Sequence, residues 1–207
     1  MIRKIIYGVY AIMGMMTMTA CGSRPDAYEI SLEKMQGFPT EDAGFLKGVS
    51  ALYAGVVDGN LLIAGGCNFP DTPAADGGKK IFYRDVYIAP LSNDTVFEWK
   101  KIGRLPQAAA YGVTVSTEKG LICVGGTTAT HSLSDVFLLS LQKDTLHTDT
   151  LPSLPVTIDN MAGALVGHSL YIVGGNVNGV PSPSMYMLDL SDLSGGWKKG
   201  TDIPGAP

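Results

Sequence analysis

The residues best suited to chemistry in this 207-residue chain are a few cations, amides and phenols gathered in turns. Asn68, Lys79, Lys80 and Arg84 fall in one polar stretch after a Gly65-Gly66 pair, and Tyr111 and Asn160 fall in two later turns. A Lys or Arg can clamp a carboxylate through charge-assisted hydrogen bonds. The amides of Asn68 and Asn160 and the Tyr111 phenol can hydrogen-bond the hydroxyl or amide groups of a small polar ligand. Each also has a plain structural use. Surface lysines are normally solvated, Arg84 beside Asp85 reads as an exposed ion pair, a Tyr can simply pack, and Asn serves turns.

Other chemistries find little support. The three histidines, His131, His147 and His168, have no carboxylate neighbour in sequence and receive no acid–base role. Three cysteines and three histidines without clustered spacing do not form a metal site. Net charge is −4 and the isoelectric point about 5.3. Without a basic footprint, nucleic acid is not an expected partner.

The elements that must position these residues repeat along the chain. Gly65-Gly66, Gly125-Gly126 and Gly174-Gly175 lie 60 and then 49 residues apart, close to the ~50-residue kelch period. Each pair closes an apolar run: Asn60–Ala64, Gly120–Val124 and Ser169–Val173. Before each comes another short run, and after each come two more, the last at Phe97–Lys101, Leu146–Thr150 and Gly196–Lys199. Four short runs per repeat predict a four-stranded antiparallel blade. Glycines at the end of the second strand allow a sharp turn and a close approach between blades. Trp99 and Trp197 supply a late aromatic that the second repeat lacks. The expected fold is all-β, a kelch-type propeller with blades at about 45–104, 105–153 and 154–204. Strands of a meander alternate in direction, so loops after the second and fourth strands share one face. That face gathers Asn68, Lys79, Lys80, Arg84, Tyr111 and Asn160.

Residues 1–20 read as an export leader. Arg3 and Lys4 precede an apolar stretch shorter than the ~20 residues of a membrane span, and Met18-Thr19-Ala20 leads into Cys21. The pattern resembles a bacterial lipoprotein signal, which implies lipidation of Cys21. It implies an anchored protein of the cell envelope, facing the periplasm or the surface, with the membrane as a partner. Residues 21–44 then form a tether and lead-in. Cys67 and Cys123 are expected to stay unpaired, Cys123 within a buried strand. Asp202-Ile203-Pro204 matches the inter-blade turns at Arg104-Leu105-Pro106 and Ser153-Leu154-Pro155. Propellers close with about 4 to 8 blades, so three blades read as a C-terminally truncated ring.

Several loops carry a more specific likeness. These are Gly65-Gly66-Cys67-Asn68-Phe69-Pro70-Asp71, Gly77-Gly78-Lys79-Lys80-Ile81-Phe82-Tyr83-Arg84-Asp85, Leu105–Val113 and Leu154–Gly163. They resemble the cyclically permuted mutarotase family, relatives of the N-acetylneuraminate epimerases, over essentially all of residues 45–207. The resemblance implies a six-bladed ring that interconverts the anomers of free sialic acid without a cofactor. It implies a Glu and an Arg as proton-transfer pair on a blade that these residues do not contain. It also implies an Arg before Ala110-Tyr111-Gly112, where this chain has Ala109. The expectation is therefore no activity from these 207 residues alone. On this reading Arg84 or Lys80 meets the sugar carboxylate, and Asn68, Tyr111 and Asn160 bond its hydroxyls or acetamide. The alternative is a non-catalytic kelch lipoprotein that binds a glycan or a protein. A sialidase would show Ser-x-Asp-x-Gly-x-x-Trp turns, and none is present.

Overall fold

A computed structural model describes residues 38–91 and 97–205. The leader, the Cys21 lipidation site and the tether as far as residue 37 lie outside the described residues. What is described is built from three four-stranded antiparallel sheets. The first contains β1 (Tyr53–Val57), β2 (Asn60–Ala64), β3 (Asp85–Pro90) and β4 (Lys100–Arg104). The second contains β5 (Val113–Thr117), β6 (Gly120–Val124), β7 (Val136–Gln142) and β8 (Thr145–Thr150). The third contains β9 (Ala162–Val166), β10 (Ser169–Val173), β11 (Met185–Asp189) and β12 (Lys198–Lys199). Every sheet is a simple meander in sequence order, and the matching registers are Tyr53↔Ala64, Val113↔Val124 and Ala162↔Val173.

Burial follows from how many neighbours a blade has. All five residues of β6 are buried, because the second blade is covered on both faces. Its strand therefore reads as a continuous apolar run rather than an alternation. Cys123 lies within it, fully buried, and both Cys67 and Cys123 are free thiols. In β10, by contrast, Leu170 and Ile172 are buried while Ser169, Tyr171 and Val173 are half-buried. The first interface packs Tyr53, Leu62 and Val86 against Leu121, Phe137 and Leu139. The second packs Ile122, Val124 and Val136 against Ile158, Leu170 and Ile172. Each such side chain contributes about 1.5–3 kcal/mol when fully buried. The far face of the first blade is covered by its own lead-in, with Phe38 and Phe45 packed on Tyr83, Tyr87 and Trp99.

The glycine pairs join blade to blade. Gly65 and Gly125 sit at φ +66° and +54°, and their N–H groups donate to the Asp85 and Asp135 carbonyls. The next glycines, Gly66 and Gly126, donate to the carbonyls of Ala109 and Ile158 in the linker to the following blade, at 2.9 and 2.8 Å. A Cβ on Gly125 would stand 2.6 Å from the Ile158 oxygen, so no side chain fits.

The fourth strands of the first and third blades begin inside the expected runs, at Lys100 and Lys198, directly after Trp99 and Trp197. Both indoles are drawn into packing instead of the ladder: Trp99 packs at a tilt against Phe38 (5.3 Å between centroids), and Trp197 Nε1 donates to the Pro152 carbonyl at 2.7 Å.

Candidate functional site

The loop between β2 and β3 folds back on itself through a two-residue ladder, Cys67↔Phe82 and Asn68↔Ile81. This register sets Phe69 across from Lys80, one step beyond the last ladder pair. The Lys80 ammonium lies 5.3 Å from the Phe69 ring centroid and 4.7 Å from that of Tyr111. It also donates to the Tyr111 hydroxyl at 2.8 Å. A lysine held between two rings and a phenol is oriented, where a free surface lysine is not. The hydrogen bond to Tyr111 raises the Lys80 pKa, outweighing the opposite effect of burial, so the group is a cation at neutral pH.

Tyr111 has an unusual backbone. Its φ is +62°, and its counterparts in the neighbouring blades share that conformation, Ala51 at +54° and Asn160 at +56°. A bulky residue in the left-handed region is a genuine outlier. The chain is held there by two backbone bonds: the Tyr111 N–H donates to Ala51 O, and the Asn160 N–H donates to Tyr111 O, both at 2.9 Å. The three residues therefore occupy one position of the repeat and form a hydrogen-bonded row across the three blades.

Asn160 is exposed, and its Nδ2 donates to the Asp159 carboxylate at 2.7 Å. Its Oδ1 is thus the atom turned to other partners, an acceptor for a hydroxyl or an amide N–H. Asp159 is buried and accepts further bonds from Ser132 Oγ (2.5 Å) and Asn176 Nδ2 (3.0 Å). Burial alone pushes its pKa up, but the donors Ser132, Asn176 and Asn160 outweigh it and hold the carboxyl below its ordinary value.

The other sequence candidates stand apart from this cluster. Asn68 uses its amide on the scaffold: Nδ2 donates to the Gly44 and Gly48 carbonyls, both at 2.7 Å, and Oδ1 accepts from Tyr83 at 2.8 Å. Arg84 grips the linker, Nε and Nη2 reaching Leu105 O at 3.1 and 2.8 Å and Nη2 reaching Pro106 O at 3.2 Å. The Arg84–Asp85 ion pair read from sequence does not form. Arg84 lies just before β3 with its guanidinium on the linker carbonyls, and Asp85 pairs instead with Lys101 (2.5 Å) and Arg104 (3.0 Å). Lys79 is exposed and makes no ion pair among the described residues. Phe69 and Asp159 were not singled out from sequence. The available signal was position alone, Phe69 next to Asn68 and Asp159 next to Asn160.

Among the described residues no group of His, Cys, Asp and Glu can hold a metal ion. A cavity of about 510 Å³ opens at the hairpin end of the second and third blades, beside Leu138, Leu151, Leu165 and His168. It lies at the opposite end of the strands from Lys80 and Tyr111, and its lining mixes leucines with Glu118, Lys119 and His168.

Four-stranded meander blades, joined by glycine pairs and packed face to face, define a kelch-type β-propeller. The solved structure of YjhT shares this fold, with a TM-score of 0.59 at 15% identity over 76% of this chain and 53% of that one. The sequence profile of the N-acetylneuraminate epimerase family matches residues 12–148, and the chain belongs to that family. N-acetylneuraminate epimerase 1 of Escherichia coli O6:H1 is 32% identical over 107 residues, covering 47% of this chain and 27% of the relative. The N-acetylneuraminate epimerase of Vibrio vulnificus is 31% identical over 104 residues, again 47% and 27%. That of Brucella suis is 36% identical over 85 residues, 39% and 22%. The matched region spans about a quarter of the length of these curated relatives.

Proposed function

We propose that this protein interconverts the anomers of N-acetylneuraminate in the bacterial cell envelope, anchored through Cys21. The observation that carries the substrate class is the Lys80 ammonium, fixed between Phe69 and Tyr111 on the face that also presents Asn160. Sialic acid differs from neutral sugars by a carboxylate on its anomeric carbon. Lys80 has three N–H donors and gives one to Tyr111, so two remain for that carboxylate. Asn160 Oδ1 then accepts from a hydroxyl or from the acetamide N–H. Family membership supports the same substrate, since the matching relatives are named N-acetylneuraminate epimerases. Arg84 is the weaker choice for the clamp because Leu105 and Pro106 already occupy much of its donor fork.

The test is a titration of the full chain with N-acetylneuraminate, its methyl ester and N-acetylmannosamine, followed by NMR. The free acid should bind at least about tenfold more tightly than the ester, as loss of a charge-assisted hydrogen bond requires. Lys80→Met should abolish that preference. Equal binding of acid and ester would remove the carboxylate site. Selective binding without faster anomer exchange would favour the sugar-binding lipoprotein over the enzyme.

A further inference from the structure

We propose that the Tyr111 hydroxyl is a catalytic proton donor, giving its proton to the ring oxygen of the sugar-acid hemiketal and leaving a phenolate beside the Lys80 ammonium. This deepens the mutarotase reading and rests on it.

Four observations converge on Tyr111. Its hydroxyl accepts from Lys80 at 2.8 Å, so its own proton is directed elsewhere, and among the described residues no protein acceptor takes it. The phenol and the lysine are each half-buried, so a ligand on this face reaches both. The Tyr111 backbone is held in a left-handed conformation by bonds to Ala51 and Asn160, which fixes its Cα–Cβ bond, and the Lys80 hydrogen bond orients the hydroxyl. Finally, Phe69 confines Lys80 from the other side, so the positive charge stays where the phenolate would form.

The chemistry closes without a further co-reactant except water. In ring opening, water removes the proton of the anomeric hydroxyl, and the electron pair of that O–H becomes the new carbonyl. The bond from the anomeric carbon to the ring oxygen breaks, and the ring oxygen takes the Tyr111 proton. The anomeric carbon is then a planar keto group that can rotate. In closure, the freed hydroxyl attacks the other face of the carbonyl and returns its proton to the Tyr111 phenolate. The carbonyl oxygen recovers a proton from water. No atom or electron is gained or lost, and Lys80 neutralises the phenolate throughout. General acid–base help of this kind is worth about 10²–10⁴-fold in rate.

The experiment uses the full chain and three proteins: wild type, Tyr111→Phe and Lys80→Met. Dissociation constants come from titration with N-acetylneuraminate, and anomer exchange rates come from NMR exchange spectroscopy at saturation. Tyr111→Phe removes one oxygen and should keep the dissociation constant within about threefold while slowing exchange by about 100-fold. Exchange catalysed by the wild type should slow in D₂O, because the proton given by Tyr111 is exchangeable. Lys80→Met should lose both binding and rate. Wild-type exchange retained by Tyr111→Phe would overturn the assignment, as would a loss of binding and rate in equal proportion. A wild type that binds without accelerating exchange overturns the proton donor but leaves the sugar site. A wild type that neither binds nor accelerates overturns both.

Discussion

The backbone N–H of Asn160 donates to the carbonyl of Tyr111 at 2.9 Å, and both residues lie in the left-handed region. Tyr111 repeats the same contact with Ala51 of the preceding blade. The blades are thus coupled through the very residues that present side chains to the candidate site. Residues 51, 111 and 160 hold one position of the repeat but carry a methyl group, a phenol and an amide. The fold supplies the placement, and the side chain at each position supplies the chemistry.

The glycine pairs give a differential prediction. A Cβ at Gly125 would meet the Ile158 oxygen at 2.6 Å, whereas at Gly174, its counterpart in the third blade, the nearest contact is the Ser182 oxygen at 3.9 Å. Gly125→Ala should cost more than about 3 kcal/mol, from backbone strain and overpacking together. Gly174→Ala should cost about 1–2 kcal/mol, from its φ of +69° alone. Urea titrations of both variants check the order, and equal losses would mean that the close approach between blades is not what requires Gly125.

Arg84 and Lys80 separate by readout. Arg84 holds the Leu105 and Pro106 carbonyls, so Arg84→Ala should lower stability by about 1–3 kcal/mol. Its preference for N-acetylneuraminate over the methyl ester should stay unchanged. A stable Arg84→Ala protein that has lost the preference would return the carboxylate clamp to Arg84.

Asp159 sets a pH dependence. Its folded pKa is below the ordinary carboxylate value, so the unfolded chain takes up the proton more readily. The stability it contributes is present above about pH 4, the unfolded value, and is lost as pH falls through the lower folded value. Asp159→Asn should lower Tm at pH 7 and flatten its decline between about pH 5 and 3. Asp85, shifted in the same direction with Lys101 and Arg104 as its cationic partners, keeps part of the slope in both proteins. Superimposable acid slopes for wild type and variant would contradict the role given to Asp159.

Cys21 carries the proposed anchor. In a bacterial host, Cys21→Ser should abolish incorporation of labelled fatty acid and move the protein from the membrane fraction to the soluble one. Membrane retention of the unlabelled variant would exclude a lipid anchor at this residue.

Much of the scaffold was legible before the structure. Gly65-Gly66 and its two counterparts marked the ends of second strands, and the unbroken run Leu121–Val124 marked a strand covered on both faces. The site was legible only as a set of residues on one face. Which cation is oriented depends on the Asn68↔Ile81 register inside the long loop, and that register places Phe69 against Lys80. Nothing in the spacing of Lys80 and Tyr111 shows that they touch, because they belong to different blades. Asn68 and Arg84 looked equally able to bind a ligand, yet their polar atoms meet backbone carbonyls of the lead-in and the linker. Asp159 escaped notice because one buried carboxylate satisfied by neutral donors leaves no pattern in sequence.

The most direct test of the account is anomer exchange of N-acetylneuraminate, followed by NMR with increasing amounts of the 207-residue chain. A proton donor at Tyr111 predicts an exchange rate that rises in proportion to protein and falls in Tyr111→Phe. A site whose only proton-transfer groups are the Glu and Arg expected from the family predicts no rise. A rate that stays at the spontaneous value, with the sugar bound, would contradict the account.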